Sequence, residues 1–337
     1  MTTVSPAGLH HVTAIAADPQ ANVDFYTRVL GLRLVKQTVN FDAPDTYHLY
    51  YGDEHGSPSS LLTFFPWPDV PPGRQGAGMT TTTAFSVPGS SLGWWHDRLK
   101  GLAADVDAPG SRGAEDVLTL RDPNGMVIDL VAADGDHRSG WDGVADIGAE
   151  HAIRGLHAIT LSEHQLDPSA AMLTELLGMS LTGEEGDRSR FGMGDSATGG
   201  TVVDVTAGVR ERGLQAGGTV HHVAFRAPDL ATMTQWQHEL QSEGVRVTDI
   251  LDRQYFKSIY FREPGGVLFE IATDAPGFAI DEPLLELGRA LKLPPWLEPN
   301  RAQIAASLPP LRVDAARSGD VPAGDTSSGA ASSGAVS

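Results

Sequence analysis

RDPNGMVIDLVA, residues 121–132, lies over REPGGVLFEIAT, residues 262–273, as Arg, acid, Pro, any residue, Gly, and then an apolar strand with an acid at the fourth position after that Gly. The acid is Asp129 in the first copy and Glu270 in the second. Internal repetition of this kind decides a fold before any single element does, because each copy is one supersecondary unit that buries its apolar face against another. Upstream of the two motifs the parallel continues. TTTAFSVPGSSLGWWHDRL (81–99) matches HHVAFRAPDLATMTQWQHEL (221–240) as a strand, a turn containing Pro, and a helix with apolar residues at helical spacing. Two weaker copies complete the set, LHHVTAIAADPQANVDFYTRVLGLRLV (9–35) and GLHAITLSEHQLDPSAAMLTELLGMSL (155–181), whose helices end at Gly31 and Gly178.

The chain therefore reads as four βαβββ units starting near residues 8, 79, 153 and 218. A lone unit leaves one face of its curved sheet uncovered, so units must associate to bury a core. The expected class is α+β, with four βαβββ modules paired into two domains of curved, barrel-like mixed sheet. Residues 8–133 are expected to form the first pair and 153–275 the second. The polar, Gly-rich stretch 134–152 is the expected linker. Residues 276–313 read as a C-terminal helix and a Pro-rich strap, and 314–337, almost free of large apolar residues, as a disordered tail.

Composition narrows the function. The 337 residues carry 43 acidic against 24 basic side chains, a formal charge of −19, which repels phosphate backbones and anionic membranes. Nucleic acid and membrane are not expected partners. No apolar run reaches the roughly 18 residues of a membrane span, and no secretory signal pattern opens the sequence, so the expectation is a cytoplasmic protein, with a homo-oligomer left open. There is no cysteine, so any metal must be held by His and carboxylate.

Adjacent histidines occur twice, His10 and His11 in LHHVTA and His221 and His222 in TVHHVAF, at equivalent places on the first strands of modules one and four. Aligning the repeats puts His11, Thr82, His157 and His222 at one first-strand site, and Thr63, Asp129, Asp204 and Glu270 at one fourth-strand site. Side chains alternate along a strand, so one histidine of each pair faces a given cavity unless a bulge intervenes. If modules one and four face each other, His11, His222 and Glu270 converge as two imidazoles and one carboxylate, the set that suits non-heme Fe(II) because it leaves coordination positions open. Glu270 lies on an apolar strand, where an unpaired carboxylate is costly. Asp129, His157 and Asp204 form a less persuasive second set.

With those residues placed, the sequence resembles the vicinal oxygen chelate superfamily, the glyoxalases, bleomycin-resistance proteins and extradiol dioxygenases. Within it, LHHVTA, YHLYYGDEHGSPSSLLTFFPWP, TVHHVAF and DRQYFKSIYFREPGGVLFEIATD are similar to the hydroquinone-type ring-cleaving dioxygenases, over about residues 8–313. The resemblance implies a ring-cleaving dioxygenase that opens 1,4-dihydroxy aromatic rings with O2, with Fe(II), or alternatively Mn(II), held by His11, His222 and Glu270. It also implies substrate-contacting or supporting roles for His10, Thr13, His221, Arg253 and Tyr260. Phe41, Tyr47, Phe64, Phe65, Trp67 and Phe256 are candidates to wall the ring. Three rivals stay open at this point: a catechol extradiol enzyme, a glyoxalase-like isomerase, and a metal-free small-molecule binding protein. The isomerase would want a fourth protein ligand, where the repeat offers Thr63.

Overall fold

The computed structural model describes residues 5–144, 146–194 and 199–313. The stretch expected to be disordered, 314–337, lies outside the described residues. Module one contributes β1 (Leu9–Ala16), α1 (Pro19–Asp24), β2 (Arg33–Asn40), β3 (Ala43–Gly52) and β4 (Leu61–Pro66). Module two contributes β5 (Met79–Val87), α2 (Leu92–Gly101), β6 (Asp105–Val106), β7 (Gly110–Arg112), β8 (Glu115–Arg121) and β9 (Val127–Ala132). Module three contributes β10 (Gly155–Ser162), α3 (Asp167–Ala171), β11 (Ser180–Glu185), β12 (Arg188–Gly192) and β13 (Val202–Thr206). Module four contributes β14 (Val220–Ala227), α4 (Leu230–Ser242), β15 (Leu251–Asp252), β16 (Lys257–Arg262) and β17 (Leu268–Thr273). After these come short 3₁₀ turns and α5 (Arg301–Ser307).

The helix ends follow the sequence signals. α1 runs on into a π turn over Phe25–Val29, closed by the Leu30 amide donating to the Phe25 carbonyl at 3.1 Å, and α3 repeats this with Leu177 and Met172 at 3.0 Å. Each stops at the expected glycine, Gly31 and Gly178, in the left-handed region at φ 70° and 61°. At Gly31 a Cβ would also come within 2.4 Å of the Ile147 side chain.

The strands form two sheets, and these do not follow the consecutive grouping expected above. One sheet has the order β15-β16-β17-β14-β1-β4-β3-β2, and so joins module four to module one. The other, β11-β12-β13-β10-β5-β9-β8-β6, joins module three to module two. The reason is local. Within a module the first strand pairs in parallel with the fourth, as β1 with β4 and β14 with β17, which leaves its other edge free. The free edges of β1 and β14 meet antiparallel, as do those of β10 and β5. Helices cover the sheets through apolar stripes such as Leu92, Trp95 and Leu99 on α2 and Met233, Trp236 and Leu240 on α4.

The C-terminal segment is tied to the first sheet by a buried cation. Lys36 on β2 is fully buried, with its ammonium donating to the Phe278 carbonyl at 3.1 Å and to Asp281 at 2.7 Å, beside Glu282 and over the Tyr255 ring.

The REPGG turn places a second buried acid. Glu163, just after β10, faces Glu263, and a Cβ at Gly265 would lie 1.8 Å from the Glu163 carboxylate, which would have to shift to make room for it. Glu263 is already used by Ser169 Oγ at 2.7 Å and by the Gly265 and Val267 amides at 2.9 and 2.8 Å. Burial, and then the Glu263 charge, push the Glu163 carboxyl up to about 8. A group whose folded value is raised stabilises the fold fully below its unfolded value, about 4.3 for Glu, and loses that contribution as pH rises through the folded one. Glu163→Gln should therefore gain stability over wild type between about pH 5 and pH 9. Urea unfolding at the two pH values checks this, and an equal difference at both would contradict it.

Candidate metal centre

β1 and β14 run antiparallel through the middle of the first sheet, and both carry irregularities at the histidine pairs. The register steps from Leu9↔Phe225 to His11↔Ala224, passing His10, and from Thr13↔His222 to Ala14↔Val220, passing His221. These are bulges, and they re-aim side chains that strict alternation would turn away. His11 and His222 thereby point at each other across the strand pair, with Nε2 atoms 3.3 Å apart. β17 supplies Glu270, fully buried, whose Oε2 lies 2.9 Å from His222 Nε2 and 3.3 Å from His11 Nε2. Glu270 Oε1 accepts from Ser258 Oγ on β16, whereas Oε2 has no hydrogen-bond partner. Ligand atoms of all three residues fall within 4.8 Å of one another, and they are the one such cluster among the described residues.

The flanking histidines fix the rings. His10 Nδ1 is 2.9 Å from His11 Nδ1, and His221 Nδ1 is 2.8 Å from His222 Nδ1. If His11 and His222 each donate Nδ1–H to the neighbour, both Nε2 lone pairs are left facing Glu270 Oε2. Burial, and next the adjacent imidazole, hold His10 well below its ordinary value and bring His221 down to about 3, so both are neutral. Burial also depresses His222, against the pull of Glu270. For Glu270 itself burial opposes ionisation, yet His11 and His222, whenever they carry a proton on Nε2 in place of a bound cation, outweigh it and keep the carboxyl well below the usual range.

Three lone-pair donors converging on one point, one of them a buried oxygen that lacks a proton donor, suit a cation better than they suit each other. The donor set of imidazole and carboxylate fits a hard or borderline ion.

Beside the cluster opens a cavity of about 360 Å³, lined by His11, His221, His222, Arg253 and Tyr260, with Phe41, Phe65 and Phe256 among its apolar walls. Arg253 Nε donates to the Tyr260 hydroxyl at 3.2 Å, its guanidinium lies over the Tyr260 ring, and Nη1 reaches Asp42 at 3.0 Å. Burial works against the Arg253 charge, but Tyr260 and Asp42 outweigh it. Tyr260 is pushed up by burial and then by Glu270, and is a neutral phenol.

Not every expected residue reaches this cavity. His10 lines a separate hollow near Phe278 and packs against Phe256. Thr13 is fully buried and spends its hydroxyl on Thr63, 2.7 Å away. Tyr47 donates to the Pro309 carbonyl, Phe64 sits in the core, and Trp67 packs behind Phe65. Conversely Asn40, Asp42, His48, Tyr50 and Thr248 line the cavity without having been singled out. A signal for two of them was present, since YHLYY on β3 aligns with SIYF on β16 and sets Tyr50 over Tyr260 and His48 over Ser258.

The set Asp129, His157 and Asp204 in the second sheet is occupied by guanidinium groups. Asp129 meets Arg112 and accepts from Thr119 at 2.6 Å. Asp204 meets Arg188 and Arg190, both at 2.8 Å, and His157 lies 2.7 Å from Glu115. Each carboxylate there already has its cation.

The sequence matches the family described as the Glyoxalase/Bleomycin resistance protein/Dioxygenase superfamily over residues 8–130 and again over 155–271. It is 42% identical to the Bacillus subtilis protein named "Putative ring-cleaving dioxygenase MhqO", over 91% of this chain and 97% of that one. It is 34% identical to the "Chlorohydroquinone/hydroquinone 1,2-dioxygenase" of Sphingobium indicum, over 86% of this chain and 92% of that one. A Bacillus subtilis crystal structure titled "putative dioxygenase" superposes with a TM-score of 0.89 at 41% identity, covering 92% of this chain and 99% of that chain. Glyoxalase I from Zea mays shares the fold, with a TM-score of 0.58 at 16% identity, covering 79% of this chain and 92% of that one.

Proposed function

The chain belongs to the glyoxalase/bleomycin resistance protein/dioxygenase superfamily, and from that premise we propose that it is an Fe(II)-dependent dioxygenase that opens hydroquinone-type rings. The observation that carries the reading is the unpartnered Oε2 of Glu270 set against two imidazole nitrogens that line an aromatic-walled cavity. The ring-cleaving relatives, one of them named for hydroquinone, give the substrate class. In the overall reaction both atoms of O2 enter the ring-opened product, an unsaturated acid carrying an aldehyde. Iron held by His11, His222 and Glu270 would supply open coordination positions and redox chemistry for a phenolate and O2.

The remaining work falls to the chain's own groups. The Arg253 guanidinium favours the deprotonated form of a bound hydroxyl and stabilises negative charge developing beside it. Tyr260, a neutral phenol held by Arg253, offers a hydrogen bond to an oxygen in the cavity. With His222 donating its Nδ1–H to His221 Nδ1, 2.8 Å away, His221 would carry its own proton on Nε2 and be a neutral donor at the cavity wall. Phe41, Phe65 and Phe256 exclude water and match the flat faces of an aromatic ring.

Arg253→Met removes a charge-assisted contact of about 1.5–3 kcal/mol, so kcat/KM for hydroquinone should fall about 10-fold to 100-fold, with metal content unchanged. Steady-state oxygen uptake with parallel metal analysis checks this. An unaltered kcat/KM would remove Arg253 from the substrate site. The reading itself is tested by loading the protein with Fe(II) without oxygen and following oxygen consumption on adding hydroquinone.

A further inference from the structure

Two buried cations stand three residues apart on β2, and they are partnered differently. Lys36 meets Asp281 and Glu282. Arg33, 7% exposed, meets no carboxylate among the described residues. Its guanidinium donates from Nη1 to the Glu54 carbonyl at 2.5 Å and from Nη2 to the Leu284 carbonyl at 2.6 Å, and it lies over the Trp141 ring. A guanidinium carries five N–H groups, so two carbonyls leave part of its fork unused. Burial bears against the Arg33 charge, Glu54 offsets part of that, and Arg289 adds to it. Buried charges are ordinarily paired with an opposite charge, and here the chain supplies none.

Arg33 lines a hollow of about 210 Å³ between β2, the 134–152 stretch and the 3₁₀ turn Leu284–Glu286. On a chain of formal charge −19 this hollow gathers four arginines, Arg28, Arg33, Arg289 and Arg312, against one acid, Asp24. Asp24 already lies 3.5 Å from Arg28, and the exposed Glu286 lies 3.0 Å from Arg289, so neither is left for Arg33. The wall is otherwise largely aliphatic, with Leu32, Leu34 and Leu287, and with Leu285 73% exposed beside them. The enclosing segment is fixed in place. Gln37 Nε2 donates to the Gly288 carbonyl at 2.7 Å, and Gly288, at φ 77°, passes β2 so closely that a Cβ would lie 1.9 Å from the Leu34 carbonyl oxygen. The hollow shares no lining residue with the metal cavity.

We propose that this hollow is a second ligand site, for an aliphatic monocarboxylate whose anionic head meets Arg33 and Arg289 and whose chain lies along the leucines. A carboxylate matches the planar fork of a guanidinium and supplies the charge that Arg33 lacks. A bare inorganic anion would leave the aliphatic wall in water, whereas an alkyl chain removes that apolar surface from it.

The experiment is calorimetric titration of the full chain with hexanoate, beside acetate, which lacks the chain, and hexanamide, which lacks the charge. The expected result is one hexanoate per chain, with both other probes binding at least about tenfold more weakly. Arg33→Met should weaken hexanoate binding about 10-fold to 100-fold, the worth of charge-assisted hydrogen bonds. Leu285→Glu, at an exposed position that folding tolerates, should do the same by setting a carboxylate before the arginines. Arg253→Met, which alters the metal cavity, should leave hexanoate binding at the wild-type value. Equal binding of hexanamide would overturn the inference. Binding lost in Arg253→Met but kept in Arg33→Met and Leu285→Glu would overturn it too, by moving the ligand to the metal cavity. Absence of hexanoate binding would also overturn it, and a dimer that Leu285→Glu breaks would then assign the arginines to a second copy of the chain.

Discussion

Glu270→Ala should abolish iron-dependent oxygen uptake with hydroquinone and lower metal affinity by more than about 100-fold, since residues that merely orient ligands already cost about 10-fold to 100-fold. The carboxylate is the sole charge in the cluster, and without it a dication would face two neutral imidazoles in a buried site. His222→Ala should act in the same direction by removing the nitrogen 2.9 Å from Glu270. Tyr260→Phe is the informative contrast. It keeps all three ligand atoms and should bind metal as wild type does while turning over more slowly. Metal content by emission spectroscopy, measured on each variant with its oxygen-uptake rate, distinguishes the two classes. A Glu270→Ala protein that retains stoichiometric iron and activity would contradict the assignment.

Lys36→Met should cost about 3–5 kcal/mol of stability, the range seen when one partner of a buried ion pair is removed. The effect is large because the loss is not of one contact. Glu282 is 4% exposed and would stay inside with no cation, and the half-buried Asp281, held by the Tyr255 hydroxyl at 3.0 Å, would lose its partner too. The ammonium also holds the Phe278 carbonyl, and hence the start of the segment that packs Phe278 against Tyr50 and Tyr255. Adding Glu282→Gln to Lys36→Met should recover part of the loss, because the burden is the uncompensated charge and not the missing methylenes. Urea unfolding of the single and double variants gives both numbers. A cost below about 1 kcal/mol for Lys36→Met would place this pair with ordinary surface bridges.

The parts of this account that sequence made legible are those with a repeating local signature. RDPNG and REPGG mark the turns before β9 and β17, Gly31 and Gly178 end helices in the left-handed conformation, and the doubled histidines stand at equivalent strand positions. From these the α+β class follows, and so does the grouping of His11, His222 and Glu270 on the one condition that modules one and four face each other. The pairing of modules was not legible, because it depends on which free strand edges meet, and β1 and β14 are more than two hundred residues apart. Bulges at His10 and His221 were equally hidden, being properties of two strands in register and not of either alone. His48 escaped notice for a related reason. Its neighbour Thr63 is fifteen residues away on the next strand, and only the register shows that the two reproduce the contact of Ser258 with Glu270. Asp129 and Asp204 look like ligands in an alignment, yet Arg112, Arg188 and Arg190 had no sequence feature tying them to those carboxylates.

Anaerobic titration of the metal-free chain with Fe(II), followed by oxygen-electrode measurements with hydroquinone, catechol and the methylglyoxal–glutathione adduct, tests the central claim most directly. The account predicts one iron per chain, uptake of one O2 per hydroquinone with loss of the aromatic absorbance, and little turnover of the other two compounds. Absence of iron binding, or iron binding without oxygen uptake on hydroquinone, would contradict it.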